Sequence, residues 1–557
     1  MEPQHGIGGS RSAYHALGIT RVEMESEEIL LIGLDGLDWS EIDSWVSDGT
    51  LSNMSRIKNT GSTRDLASTH PPWTPCAWPS LLSGRNPGKH GVFDFFTRDG
   101  YDKRLIERPD IDAPYLFEAA DAHDRTSLVV NYPVTHPTSR LDNGAVIPGY
   151  LAREDALFYP EHLRDEYENE YGEYRIYPEY GTDDGAVAEY VDVARCRRDM
   201  ARFLDGRYDW DLLAVQFQVT DSVFHDLDDR NEIRRVLEKI DEFVGDIIDL
   251  GGEDPTVLIA SDHGMGDYDW TFYANSWLAE NGYCETTTGN TQYFRQAKDD
   301  LKGKDGDSTG STVLETAVET AASATSAAGL SPQRIHRGLS RVGLADVVER
   351  LLPEDALVAA QNQVVDYPNS AAFQLYFNSL GIHLNVEGRD PAGTIPEGDY
   401  EEVRSGLIEK LERVRDPDGE LVFDAVRPRE EVYEGEHLED APDIALFPRD
   451  YRYDVSGSIL DEFRRYPHKN HKPEGILLSN RPLDIDEQAE IYDVAPTVAA
   501  ALGIPVDTNT DGEVLLDTEE QIERENWDGI GHEYVDGRSN GDSSSVEDRL
   551  ADLGYME

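Results

Sequence analysis

Short apolar runs closed by polar clusters recur along the chain. Ile29-Leu30-Leu31-Ile32-Gly33-Leu34 ends in Asp35-Gly36, and Ser127-Leu128-Val129-Val130 ends in Asn131-Tyr132-Pro133. The run Asp211 to Phe217 leads into Thr220-Asp221, and Thr256 to Ala260 leads into Ser261-Asp262-His263-Gly264. Continuous apolar runs of this length are the pattern of strands buried on both faces of a parallel sheet. Between them lie helical patterns. From Glu232 to Leu250, for example, Ile233, Val236, Leu237, Ile240, Phe243, Val244 and Ile247 fall at three- and four-residue spacing. Alternation of strand and helix predicts an α/β fold with a mostly parallel central sheet flanked by helices. Ligands in such sheets gather outside the carboxyl ends of the strands. Three of the polar clusters carry Asp or Asp-His, so a site is expected at that edge.

Further along, the pattern loosens. Ala, Ser, Thr and Gly dominate from about Thr286 to Glu349, first linker-like and then helical around Leu339 to Leu352. Another helix is predicted over Tyr400 to Val414, among acidic loops. Residues 286–438 therefore read as an insertion or cap on a core formed by 27–285 and 439–515. Pro442 to Phe447 looks like a return strand, and Ile491 to Leu502 a helix stopped by Gly503 and Pro505. Residues 1–26 read as a flexible leader. The stretch 516–557, acidic, Ser-rich and poor in apolar residues, reads as a mobile tail.

Charge changes the picture of partners more than of fold. The 557 residues include 111 acidic and 50 basic ones, a formal charge of −61 that repels nucleic-acid backbones and anionic membranes. Only 10 of the basic residues are Lys, and the acids are spread along the whole chain. That pattern resembles proteins of salt-loving microbes, because molar salt shortens the Debye length to about 3 Å and screens self-repulsion. Cys76, Cys196 and Cys284 lie far apart without CxxC spacing, so neither a disulfide framework nor a thiolate zinc site is indicated. Neither a run of 18 apolar residues nor a signal-peptide core is found, and a soluble cytoplasmic protein is the expectation.

The candidate chemistry sits in separated clusters: Asp35, Asp221 with His225 four residues on, Asp262-His263, and His471. Imidazole nitrogen and carboxylate oxygen suit divalent zinc or manganese, and residues four apart share one helix face. Taken singly, each piece has an ordinary reading as a helix cap, a turn or a solvated pair. Their common placement at one predicted sheet edge favours a metal site. Thr74 stands at the start of a small-residue helical stretch, where it can cap the helix or, beside a metal, act as a nucleophile.

These segments in order, Gly33-Leu34-Asp35-Gly36, Thr74 with Gly84 and Asn86-Pro87-Gly88-Lys89-His90-Gly91, Thr220-Asp221-Ser222-Val223-Phe224-His225, Ser261-Asp262-His263-Gly264 and His471-Lys472-Pro473-Glu474-Gly475, resemble the alkaline phosphatase superfamily. The type I phosphodiesterase/nucleotide pyrophosphatase branch is the most similar. The resemblance runs from about residue 28 to 515. It implies one metal held by Asp35, Thr74, Asp262 and His263, and a second held by Asp221, His225 and His471, with zinc the expected ion on the donor chemistry and manganese the alternative. It also implies that Thr74 attacks phosphorus and that a phosphothreonine intermediate is hydrolysed in turn. The expected partner is a small-molecule phosphate ester. A phosphomonoesterase, a phosphoglycerate mutase-like phosphotransferase and a non-catalytic metal-binding protein are the alternatives. A sulfatase is disfavoured, since Thr74 cannot become formylglycine and Cys76 lacks a following Pro-x-Arg. Ala77, in the first turn after Thr74, offers no side-chain donor to a phosphoryl oxygen, so that help falls to backbone amides, metals or another side chain. His90 and Cys76 are expected to be structural. His468 competes with His471 as a ligand, and Arg85 and Lys89 are candidates for phosphate contact or for structural roles.

Overall fold

The computed structural model describes residues 28–178, 185–288, 363–376, 379–485, 488–516, 521–531 and 533–535. The expected strands form, and they lie side by side. An eight-stranded sheet runs in the order Ala489–Glu490, Ser62–Ala67, Glu474–Ser479, Thr256–Ala260, Ile29–Leu34, Leu212–Phe217, Ser127–Val130, Gly144–Ile147. All its pairings are parallel except the two made by Glu474–Ser479. Every residue of Ile29–Leu34, Leu212–Phe217 and Thr256–Ala260 is buried, which is why these strands read as unbroken apolar runs.

Helices flank the sheet in two groups. Ser52–Thr60 packs with Arg230–Ile248, which packs with Ala186–Asp205; Thr74–Ser83 packs with Leu116–Ala122 and Val494–Ala501. Arg230–Ile248 buries the predicted apolar face, and Asp229 caps it by accepting from the Asn231 amide at 2.8 Å. Each large side chain so buried contributes about 1.5–3 kcal/mol. Thr74–Ser83 is buried along its whole length, so this short helix is held by tertiary packing.

The register places the site. Ile29 pairs with both Leu212 and Thr256, so the three central strands end almost level, and the Asp35 amide still reaches the Phe217 carbonyl at 3.3 Å. Asp35, Asp221 and Asp262 therefore leave the sheet at one edge. Beyond Asp262 the chain forms a long strand, Gly264–Tyr273, which pairs antiparallel with Phe463–Lys472 and brings His471 opposite Met265.

Three expectations change. Ile444–Pro448 is indeed a strand, but it lies between Gly381–Leu384 and Phe423–Pro428 in a separate four-stranded antiparallel sheet. An apolar run does not specify its neighbours, and the boundary expected at 438/439 cuts through this second unit. The chain rejoins the central sheet only at Glu474–Ser479. The stretch after 516 is not wholly a tail: Arg524–Glu525 pairs with Val506–Asp507, and Trp527 is 1% exposed with its indole N–H on the Pro505 carbonyl at 3.1 Å. One large aromatic can help anchor a segment whose composition is otherwise polar. The leader 1–26, the helix around Leu339 to Leu352 and residues 536–557 lie outside the described residues.

Candidate metal centre and nucleophile

Each ligand candidate is positioned by local structure. Asp35 follows the last residue of its strand, and its Oδ2 accepts from the Trp78 indole at 2.9 Å and the Gln216 amide at 2.7 Å. Gln216 is itself held by the Asn131 side chain at 2.8 Å. Those donors leave Asp35 Oδ1 facing the site. Gly36 turns the chain at φ 67°, and a Cβ there would lie 2.7 Å from Asp221 Oδ1, so glycine serves both the turn and the approach of a second carboxylate. Asp221 and His225 share one face of the helix Val219–Asp226, as their spacing predicts.

Asp262 Oδ1 accepts from the Gly36 amide at 3.3 Å, and the Ser68 hydroxyl donates to the Asp262 carbonyl at 2.6 Å. His263 Nδ1 lies 3.1 Å from the Gly264 carbonyl. A proton donated there leaves the Nε2 lone pair directed into the site. His471 stacks on the His263 ring at 3.8 Å, with Trp73 packed edge-on against it at 5.3 Å.

Thr74 is the first residue of its helix, but it does not cap it. The cap position belongs to Trp73, and the Thr74 hydroxyl lies 3.3 Å from His263 Nε2. Pro75 at the next position lacks an N–H, so it costs the first turn no hydrogen bond.

All seven residues named from sequence converge. Asp221 Oδ1 lies 3.4 Å from both His225 Nε2 and His471 Nε2, and the two imidazole nitrogens are 3.1 Å apart. His263 Nε2 lies 3.5 Å from Asp35 Oδ1, 3.3 Å from Asp262 Oδ2 and 3.3 Å from Thr74 Oγ1. Ligands about 2.0–2.1 Å from a tetrahedral zinc ion are separated from one another by roughly 3.3–3.4 Å. These spacings fit two such polyhedra.

The electrostatics point the same way. Asp35 and Asp262 are fully buried, and among the described residues the ion-pair partners of Asp35, Asp221 and Asp262 are all histidines. Asp35 Oδ1 and Asp262 Oδ2 have no hydrogen-bond partner. Burial, then the charges of Asp262 and Asp221, push the Asp35 carboxyl well above the usual range; burial and Asp221 do the same to Asp262. Burial and His471 hold His263 well below its ordinary value, which leaves a neutral imidazole suited to ligation. Carboxylates gathered in this way call for a buried positive charge, which a divalent ion would supply.

The remaining candidates separate cleanly. His468 binds Asp454 at 3.0 Å instead of entering the ligand set. Arg85 pairs with Asp507 and Asp528 at 2.6 and 2.7 Å, and Lys89 pairs with Asp511; both tie the C-terminal segment to the core. His90 lies 2.9 Å from the Ser80 hydroxyl on the Thr74 helix, and burial holds it neutral, down to about 3. Cys76 is buried with its thiol pushed up by burial, a small core residue. Trp78 and Gln216 were not anticipated. Their signals were a Trp one turn after Thr74 and a lone amide in the apolar run Leu212–Phe217.

This fold is that of the alkaline phosphatase superfamily, and the family match makes the chain a phosphoester hydrolase. The chain belongs to the type I phosphodiesterase / nucleotide pyrophosphatase family, whose model matches residues 29–474. Among solved structures, phosphonoacetate hydrolase from Sinorhizobium meliloti 1021 in complex with phosphonoformate is similar, with a TM-score of 0.52 and 14% identity over 86% of this chain and 95% of that one. Its complex with phosphonoacetate gives 0.50 and 16% over the same shares. Murine ectonucleotide pyrophosphatase / phosphodiesterase 5 in complex with AMP gives 0.44 and 11%, over 86% and 96%. No curated protein matches the chain. Among the described residues no helix is long and apolar enough to cross a membrane.

Proposed function

We propose that this protein hydrolyses phosphodiesters or nucleotide-type phosphoanhydrides of small molecules, with Thr74 as nucleophile and two divalent ions, zinc in preference to manganese. The observation that carries the reading is the convergence of the Thr74 hydroxyl, at 3.3 Å from His263 Nε2, on two ligand sets with tetrahedral spacing. Asp35, Thr74, Asp262 and His263 would hold one ion, and Asp221, His225 and His471 the other. When bound, the ions supply Lewis-acid stabilisation of the attacking and leaving oxygens.

The protein's own groups do the positioning. Trp78 and Gln216 fix Asp35, and the Gly264 carbonyl fixes the His263 ring. Thr74 stands at the positive end of its helix, which favours negative charge on its oxygen and on a phosphoryl group beside it. As Thr74 Oγ1 bonds to phosphorus, its proton passes to solvent water, the bond from phosphorus to the leaving oxygen breaks, and that oxygen takes up a proton from water. Water then cleaves the phosphothreonine and restores the hydroxyl. The −61 charge supports a small substrate over nucleic acid or an anionic membrane, and a cytoplasm rich in salt as the setting.

The test is turnover of bis-p-nitrophenyl phosphate, p-nitrophenyl phosphate and p-nitrophenyl sulfate in molar salt, with zinc or manganese. Faster turnover of the diester is expected. Preference for the monoester would replace the diesterase reading, and no turnover of any ester with metals bound would favour a non-catalytic protein.

A further inference from the structure

A cavity of about 220 Å³ lies where the segment Gly91–Arg98 meets the antiparallel sheet. It is smaller than the roughly 300–1,000 Å³ of pockets for drug-sized molecules and occupies the kind of junction between units where ligand sites concentrate. None of its lining residues belongs to the metal-ligand set. Phe93 and Phe96 form part of its apolar wall, and Arg98, His383, His437 and Asp440 bring polar groups to it.

The polar groups differ in what they leave unsatisfied. Asp440 is engaged by His437 Nδ1 at 3.2 Å, and Asp110, also on the lining, is engaged by Arg104 at 2.7 Å. Both acids are thus neutralised where they stand. Arg98 contacts Asp390 through one nitrogen at 3.3 Å, and Arg389 draws on the same carboxylate at 3.1 Å. A guanidinium carries five N–H groups, so Arg98 has donors to spare. His383 is 2% exposed, and among the described residues its Nε2 has no hydrogen-bond partner. Burial and then Arg98 hold this imidazole down to about 3, so it is neutral and its Nε2 can present a proton to an acceptor. A buried polar atom left without a partner is destabilising, and a ligand that accepts from it relieves that cost.

We infer that this cavity binds a small organic anion, its carboxylate or phosphate held by Arg98 and His383 and its apolar body against Phe93 and Phe96. The site stands apart from the metal centre and from the reaction proposed for it. His437, whose ring lies 3.2 Å from where a Cβ on Gly91 would be, closes the rim beside the turn that follows His90. An occupant therefore touches the segment that follows the short helix Pro87–His90.

Benzoate is a suitable probe, with benzamide as its uncharged counterpart. Calorimetric titration of the full-length, metal-loaded protein in molar salt is expected to show one benzoate bound, with benzamide at least tenfold weaker. Arg98→Gln should weaken benzoate at least tenfold and His383→Leu several-fold, while turnover of bis-p-nitrophenyl phosphate stays unchanged. His383→Leu disturbs no ion pair, so it serves if Arg98→Gln fails to fold. In crystals soaked with 4-bromobenzoate, the anomalous bromine peak is expected beside Phe93 and Phe96. Benzamide binding as tightly as benzoate, benzoate binding undiminished in both variants, or bromine only at the metal centre would each overturn the inference. Loss of esterase activity in the wild type would strike the proposed function and leave these binding results intact.

Discussion

Thr74 Oγ1 and His263 Nε2 are 3.3 Å apart although 189 residues separate them in the chain. The contact joins the start of a buried helix to the end of a central strand. It sets a hydroxyl against an imidazole kept neutral by burial, within reach of three buried carboxylates.

Removing that hydroxyl should abolish turnover while leaving the fold intact. Thr74→Ala is expected to lose on the order of 10³-fold or more in kcat/KM for bis-p-nitrophenyl phosphate, with Thr74→Ser retaining part of it. Turnover equal to the wild type in the alanine variant would sink the nucleophile assignment.

Gln216 acts through Asp35. Gln216→Leu removes the 2.7 Å donor to Asp35 Oδ2 and the side-chain acceptor of the Asn131 amide, which keeps the backbone carbonyl of residue 216 at 3.2 Å. Loss of such a supporting group typically costs about 10–100-fold in metal affinity or activity. Competition with a chelator should reveal it, and unchanged metal affinity would show that Trp78 alone suffices.

Metal binding should also be a stability term, because it neutralises carboxylates that burial and mutual repulsion disfavour. Stripping the protein with a chelator is expected to lower its melting temperature. Zinc at about 100 times its Kd should restore about 2.7 kcal/mol per site. A melting temperature indifferent to zinc, with elemental analysis finding no metal, would remove the two-metal reading.

His437 carries a pH signature away from the site. Asp440 and Asp112 raise it from 6.5 to about 9, at 3.2 and 3.0 Å. A group whose pKa is raised on folding stabilises fully below its unfolded value, and the contribution fades as pH rises through the folded one. The stability difference between wild type and His437→Gln should therefore be largest below pH 6.5 and vanish above about 9. Because the pair is part exposed, molar salt should shrink the difference. A difference constant with pH would show that packing, not charge, is at work.

Trp527 anchors the C-terminal segment. Trp527→Ala is expected to cost about 3–5 kcal/mol in the docking of residues 521–535. Limited proteolysis after Leu516, faster in the variant, is the readout. Equal cleavage rates would mean that the ion pair between Arg85 and Asp528 holds the segment instead.

Much of this was legible along the chain. The apolar runs fell where strands form, and the period of Ile233 to Ile247 marked its helix to within two residues at each end. The polar clusters that close the strands contained Asp35, Asp221 and Asp262, which meet at one edge because a parallel sheet presents its strand ends there. What failed was partner choice. Ile444–Pro448 has the composition of a core strand, yet it pairs in the second sheet, since hydrophobicity specifies burial and not a neighbour. The segment around Trp527 was hidden by its polar surroundings.

The sequence by itself determined the α/β alternation, the order of the motifs and the six Asp and His candidates, while Thr74 stood as a cap or a nucleophile until the family resemblance chose between them. Those properties are local, written in spacing and side-chain type. Only the tertiary structure decided that Thr74 leaves its helix uncapped and turns its hydroxyl to His263. It alone showed that Trp78 and Gln216 hold Asp35, that Arg85 and Lys89 serve structure, and that a cavity opens between Phe93 and His383. These are meetings of residues far apart in the chain, and strand register and packing, which local pattern does not encode, set their distances.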